Sequence, residues 1–459
     1  MDSSSNESYL SNSDSYGEKY GLFVSRRTKE QVEECQKKGE QLPLKGAGFL
    51  VKDNIHTCLP DLVAVGASNS LVFADKQQEK KPELEDSPVV RRLIDAGGAI
   101  IGTVNMHELA FGISSTNGSF GAVRNPYNPA RIPGGSSGAS AAAIALGCGA
   151  FSLGTDTGGS VRIPSAFCGT VGLRPTTYTL AQQGVVPIAT TTDTIGPIAN
   201  TVDDVHFAYS LMLPPSSSPP PTPSKLVGKI EGVRVGVPRG YFYEMDEEVE
   251  KLVEKSIETL KKAGAVIVEE KFNGEGELVN QGIIKYGFDV FTYEWVPAFK
   301  AYLERNGRTC DMTDIVANIG SPDVKGLGEN QLGKEPTTKE AYEAGLAYAE
   351  KLKKMVNEYF DEHKLDCLVM PTCVVLPPEI GQEKMKIKGK EIESIFAVTH
   401  NSLFSPLTAT PALSVPAGIV EGIGGVGIDF VGRPGSEFEL LAIGKAFEEA
   451  RGKLPSPPV

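Results

Sequence analysis

Residues 133–176 read PGGSSGASAAAIALGCGAFSLGTDTGGSVRIPSAFCGTVGLRPT, and the fold class turns on them. Two serine-bearing turns, Gly134-Gly135-Ser136-Ser137-Gly138 and Asp156-Thr157-Gly158-Gly159-Ser160, stand at the ends of a small-residue helix predicted over 138–146 and a strand predicted over 151–155. Upstream, Phe49-Leu50-Val51 is a strand entering Lys52. Ser87-Pro88 then opens a helix, with serine as N-cap and proline at its first position; Val90, Leu93 and Ile94 form the apolar stripe and Gly97-Gly98 end it. A buried strand follows over 99–104. Short apolar runs alternating with helical stretches from Leu42 to about Leu213 predict an α/β layer architecture.

Residues 214–223, PPSSSPPPTP, have no means of burying a core and read as a surface loop. Beyond them the pattern predicts a strand over 233–237, helices over 246–264 and 338–363 and a core strand over 366–372. A capping box from Ser436 to Glu439 is expected to start a last helix carrying Leu440, Leu441, Ile443 and Phe447. No repeat of 20–50 residues is visible.

At 459 residues the chain passes the length, roughly 250–300 residues, at which a single core usually stops growing. Its net charge of −13 and pI near 5.1 speak against nucleic acid as a partner, which needs clustered Lys and Arg. Seven cysteines without a CxxC pair fit reduced, buried thiols and a cytoplasmic setting better than a disulfide frame or a zinc site. Residues 1–27 are polar and serine-rich, and are expected to form a disordered tail ahead of a domain over 28–459. Arg26-Arg27 is followed by charged Lys29 and Glu30, where a twin-arginine signal needs an apolar run. The longest apolar run, 139–151, is well short of the ~20 residues needed to span a bilayer, so no membrane partner is expected.

Lys52, at the end of an apolar strand, and the turn serines Ser136 and Ser160 are the candidate residues for chemistry. A serine hydroxyl needs a base to take its proton as it attacks. A lysine can be that base only when neutral, which requires its pKa to fall from about 10.4 by roughly three units through burial or nearby positive charge. Lys52 follows three apolar residues, as a desolvated amine should. A second hydroxyl can accept one proton and donate another, so Ser136 is suited to relay between the two. In the run Thr157-Gly158-Gly159-Ser160, successive backbone N–H groups can stabilise the oxyanion formed on attack at an amide carbonyl. Asp156 and Arg162, which flank it, are expected to pair and hold the loop.

Other readings fit less well. A linker would not continue into the ordered apolar runs at 141–146 and 161–164. The phosphate-loop pattern G-x-x-x-x-G-K-[ST] and the nucleophile elbow G-x-S-x-G are both absent. Of five histidines only His107 lies near the informative block, where a hydrogen-bonded structural role is expected.

The Val-Lys-Asp-Asn, Gly-Gly-Ser-Ser-Gly and Asp-Thr-Gly-Gly-Ser motifs together resemble the amidase signature family of serine amidohydrolases, strongly over 43–198 and more weakly at 410–418. The resemblance implies a single large domain, a central mixed β-sheet covered by α-helices on both faces. It implies a Ser-Ser-Lys triad with Ser160 as nucleophile, Ser136 as bridging serine and Lys52 as base, a cis peptide bond before Ser136, and an oxyanion hole at Thr157, Gly158, Gly159 and Ser160. No metal or organic cofactor is implied, and homodimer formation stays open.

The chain departs from the family pattern at Ala139, where a second glycine is usual, in a shortened N-terminal region, and at Asp429, where many relatives carry glutamine. The motifs at 117–127 and 162–164 look most like those of indoleacetamide and mandelamide hydrolases, which implies a small aryl-acetamide-type primary amide as substrate. Ile163 stands where the tRNA amidotransferase subunits generally carry glutamine. Met106, Phe111 and Phe167 are the expected apolar pocket walls, with Ser137 set beside them as a substrate contact. An amidotransferase component working with tRNA-binding partners and a non-catalytic amidase-like binding module are the alternatives.

Overall fold

The computed structural model describes residues 6–459 apart from Cys58, Pro60, 79–83, Asp86, 215–226, Glu244, 273–276, Lys334 and the side chains of 277–281. All but Pro214 of the expected proline-serine loop therefore lies outside the described residues. In chain order the strands are β1 Phe23–Arg26, β2 Gly48–Lys52, β3 Ala99–Val104, β4 Thr116–Asn117, β5 Gly121–Ala122, β6 Phe151–Asp156, β7 Val171–Arg174 and β8 Thr194–Ala199. They continue with β9 Arg234–Gly236, β10 Val266–Val268, β11 Cys367–Pro371, β12 Lys384–Ile387, β13 Lys390–Glu393, β14 Ala412–Val420 and β15 Gly424–Val431.

Eleven strands form one mixed sheet in the order β1-β3-β2-β6-β8-β7-β14-β15-β11-β9-β10. β2 runs parallel to both β3 and β6, whereas β6, β8, β7, β14, β15 and β11 pair antiparallel in succession. Because side chains alternate along a strand, β2 feeds both faces: Phe49 and Val51 enter one apolar cluster and Leu50 the other. Phe49 stacks on Phe151 of β6 with ring centroids 5.1 Å apart. Helices Val202–Met212, Glu247–Lys262 and Glu437–Arg451 cover the first face, and helices Asn6–Tyr16, Lys29–Gly39 and Gly138–Ala145 the second. The alanine-rich Gly138–Ala145 helix is buried from Gly138 to Ile144 and needs no amphipathic stripe, since small side chains let it approach the sheet on every side. No described helix is long and apolar enough to cross a membrane.

Two sequence expectations need correction. Within the expected tail of residues 1–27, Asn6–Tyr16 is a helix and Phe23–Arg26 pairs antiparallel with β3. A serine-rich segment is ordered here because Leu10, Tyr20 and Leu22 are buried in the second cluster, and Asn6 bridges the start of β2 by donating to the Gly46 carbonyl and accepting from the Gly48 N–H, both at 3.1 Å. The expected capping box at Ser436 does not form, because the hydroxyl donates instead to the Arg433 carbonyl at 2.7 Å. A capping box forms at Thr28 and Gln31.

Burying Leu10 and Leu22 contributes about 1.5–3 kcal/mol each. A chain beginning at Thr28 is expected to lose at least about 3 kcal/mol of stability, read as a lower urea midpoint. An unchanged midpoint would show that the segment contributes nothing to the core.

Candidate active site

Alternation along β2 places Lys52 on the same side as Leu50, toward the turn that leads into helix Gly138–Ala145. Its Nζ lies 2.7 Å from Ser136 Oγ, 2.8 Å from Thr155 Oγ1 and 3.4 Å from the Thr155 carbonyl. Asn54 Nδ2 donates to the same Thr155 hydroxyl at 3.1 Å. Lys52, Ser136 and Asn54 are almost entirely shut off from solvent. Burial pushes the Lys52 amine well below the ordinary lysine value; the carboxylates of Asp156 and Asp193 pull the other way with less effect.

The Gly135–Ser136 peptide is cis, as the resemblance implies. The Ser136 carbonyl accepts from the His107 N–H at 3.0 Å, and the Ser137 N–H donates to the Ser160 carbonyl at 3.1 Å, so the two serine turns are bonded to each other. Ile163 packs between them: a Cβ on Gly159 would stand 2.9 Å from its Cδ1, and one on Gly134 3.1 Å from its Cγ2. Gly159 has φ +115°, and its Cβ would also stand 2.5 Å from Ser402 Cβ, so no other residue suits this point of the turn.

The Asp156 carboxylate organises the second turn. It accepts from the N–H groups of Gly159 at 2.8 Å and Val161 at 3.2 Å, from Arg162 Nε and Nη2 at 3.1 and 3.2 Å, and from Arg174 Nη1 at 3.1 Å. Burial alone would raise this carboxyl, but the two guanidinium groups and the backbone donors hold it far below the usual carboxylate range. Arg162 reaches on to Asp429 at 3.0 Å and to the Ser402 carbonyl at 2.7 Å. Asp429 also accepts from Thr372 Oγ1 at 2.6 Å, so it serves as a counter-ion of Arg162. The expected Asp156–Arg162 pair is thus one edge of a buried network of two arginines and two aspartates.

Ser160 lines a cavity of about 70 Å³ together with Phe111, Thr157, Gly158, Ile188, Phe288, Phe291, Ile395 and Leu403. No charged side chain is among the lining residues. The remaining expected contacts fall elsewhere. Met106 and Phe167 are buried in the main apolar core and do not line this cavity. Ser137 Oγ is bound to the β6 backbone, donating to the Thr155 carbonyl at 3.2 Å and accepting from the Thr155 N–H at 3.3 Å. The Gly159 N–H, counted among the oxyanion donors, is already directed at Asp156. His107 is hydrogen-bonded to Asp323 at 2.9 Å and to Ser114 at 3.3 Å.

Sequence reasoning missed Thr155, Asn54, Asp193 and Ser402. Asp193 accepts from Thr157 Oγ1 at 2.6 Å and from the Ile188 and Ala189 N–H groups at 2.9 and 3.1 Å, and burial lifts its carboxyl to about 6. Ser402 Oγ donates to the Gly158 carbonyl at 2.6 Å. Only the pairing of Val51 with Leu153, which brings the ends of β2 and β6 together, would have pointed to Thr155.

The mixed sheet thus carries a buried lysine–serine pair beside a glycine-rich serine turn. The family model named Amidase matches residues 7–441. The chain belongs to the amidase family, whose members hydrolyse amides. It is 37% identical over 369 residues to an indoleacetamide hydrolase of Rhizobium radiobacter, covering 80% of this chain and 77% of that protein. It is 31% identical to a glutamyl-tRNA(Gln) amidotransferase subunit of Desulforudis audaxviator, covering 91% of this chain and 84% of the relative. A solved amidase structure superposes with a TM-score of 0.80 at 26% identity, over 98% of this chain and 96% of the other.

Removing one partner from a buried ion network leaves an uncompensated charge and typically costs about 3–5 kcal/mol. Arg162→Met strands Asp429 and halves the compensation of Asp156. A loss of that size is expected in urea unfolding, and a change below about 1 kcal/mol would show that the network does not hold the turn.

Proposed function

We propose that the chain hydrolyses a small, neutral, aryl-acetamide-type primary amide to the carboxylic acid and ammonia through an acyl-enzyme on Ser160. The observation that carries this reading is the 2.7 Å hydrogen bond between a buried lysine amine and Ser136, in a turn bonded to the one that holds Ser160. Neutral Lys52 takes the proton of Ser136 Oγ as Ser136 takes that of Ser160 Oγ, and Ser160 Oγ attacks the amide carbon. Negative charge gathers on the carbonyl oxygen, where the N–H groups of Thr157, Gly158 and Ser160 serve as donors. As the C–N bond breaks, the proton held by the relay passes to the leaving nitrogen and ammonia departs. Water, deprotonated by the same relay, then cleaves the ester and returns the proton to Ser160.

The lysine amine has two N–H bonds and one lone pair when neutral. In this reading the Thr155 carbonyl and the Thr155 hydroxyl accept the two N–H bonds, which leaves the lone pair for Ser136. Thr155 is therefore a positioning residue in this reading. The indoleacetamide hydrolase relatives support the substrate class.

Relatives named as amidotransferase subunits favour a second reading, in which glutamine is the amide donor. The cavity beside Ser160 argues against it: a zwitterionic amino acid would bring two charges into a site lined by uncharged side chains, at a desolvation cost of several kcal/mol per ion.

Ammonia release from arylacetamides is expected, with none from glutamine. Ser160→Ala should lower kcat by about 10³-fold or more with the melting temperature unchanged, and hydroxylamine should divert the wild-type acyl group to the hydroxamate. Turnover retained in Ser160→Ala rejects the nucleophile. Because catalysis needs the neutral amine and burial depresses the Lys52 pKa, kcat/KM should rise with pH through an apparent pKa below the lysine range. Thr155→Val should lower kcat about tenfold or more with KM little changed and move that limb to lower pH, since it removes an acceptor that favours the ammonium; Thr155→Ser should restore both.

A further inference from the structure

Resting on that reading, we propose that the acyl group of the substrate passes between Phe288 and Ile395 into a neighbouring apolar cavity, so that the chain selects neutral amides with a large apolar acyl group over short ones. Phe288 and Ile395 line both the Ser160 cavity and this second space, and form the partition between them.

The two spaces differ in size and share apolar walls. The Ser160 cavity, at about 70 Å³, takes an amide group and a carbon beyond it; the second, at about 730 Å³, falls within the ~300–1,000 Å³ typical of small-molecule sites. Ile284, Phe288, Val374, Ile387, Ile392 and Ile395 make its apolar walls. They come from helix Glu277–Arg305, the segment after β11, the β12–β13 hairpin and helix Ser394–Thr399. Of the charged residues that line it, Lys285 pairs with Asp289 at 3.1 Å and is 65% exposed, Asp289 is half-buried, and Lys390 and Glu391 are exposed on the hairpin; Tyr243 and the buried His400 add polar atoms to the lining. An acyl group entering between Phe288 and Ile395 meets apolar side chains at the entrance. Each CH₂ buried there raises affinity about fourfold, so affinity grows with acyl size until the mouth is reached.

Ile395, with Gly112 and Ile113, also borders a third cavity of about 680 Å³ on the side of His107 and Asp323. That space carries Glu379, Glu383 and Glu393 as well, a carboxylate-rich lining unsuited to an apolar group.

Ile392→Trp and Ile284→Trp fill the second cavity from different elements, so a folding defect in one, seen as a lowered melting temperature, leaves the other informative. Initial rates are measured with octanamide and propanamide. Either variant is expected to lower kcat/KM for octanamide at least about tenfold, chiefly through KM, while propanamide stays within about twofold. Equal losses on both amides, no loss on either, or the octanamide loss appearing instead in Thr116→Trp, which fills the third cavity, overturns the proposal. Failure of the wild-type chain to hydrolyse any amide would be a failure of the hydrolase reading. The cavity is then judged by calorimetric titration of the Ser160→Ala protein with octanamide. Binding weakened at least about tenfold by adding Ile392→Trp supports the acyl site, and unchanged binding rejects it.

Discussion

The Asp156 carboxylate is the joint on which the site depends. It ends β6, tethers the N–H groups of the turn that follows, and meets guanidinium groups from the next helix and from β7. Arg162 carries the constraint across the sheet to β15 through Asp429, and to the 399–404 segment through Ser402. The turn, the helix after it, β7 and two parts of the chain remote in sequence, β15 and the 399–404 segment, are thereby referred to one carboxyl group. Buried ion pairs gain little net stability over apolar replacements, because desolvation offsets much of the Coulomb attraction. Geometry is the better account of this network: each lone pair of Asp156 has a donor, and only one course of the turn satisfies them all.

The same network sets the electrostatics of Lys52. Asp156 lies close enough to favour a charged lysine, yet it already answers to two arginines, and Asp429 answers to one of them. Asp193 is held by three donors of its own, and burial lifts its carboxyl to about 6. Two positive and two negative charges close on each other and leave the lysine without a dedicated counter-ion, so burial decides its state. On the proposed mechanism this is what supplies a base. A carboxylate given over to Lys52 would hold it as an ammonium, unable to accept a proton.

The core of the fold was legible where local pattern and tertiary role agree. β2, β3, β6 and the alanine-rich helix appear at the residues their apolar runs and glycine stops indicate, and the Lys52–Ser136 contact, 84 positions apart in sequence, was legible through the resemblance to the amidase signature family. The N-terminal segment was not: its polar composition hides three buried apolar residues, and its order comes from Asn6 reaching residues some forty positions away. Helix Glu277–Arg305 escaped for the opposite reason. Its apolar residues are spread around the axis and Pro297 lies inside it, so no one-sided stripe marks it. Yet Phe288 and Phe291 on this helix form much of the wall beside Ser160. Met106 and Phe167, close to the motifs in sequence, belong to the core. Pocket walls are set by which distant elements close over a turn, and no local pattern records that.

On the proposed reading, selectivity and lysine activation share one cause. Apolar side chains line the cavity at Ser160, and burial pushes the Lys52 amine behind it well below the ordinary lysine value. A charged group placed in the cavity to receive a charged substrate would act on Lys52 through the same low dielectric. A carboxylate there would favour the ammonium and weaken the base, whereas an ammonium or guanidinium would depress the lysine further and leave less driving force for taking the serine proton. A site that activates serine through a buried amine is therefore drawn toward neutral substrates by its own acid–base chemistry, before any wall residue is chosen for shape.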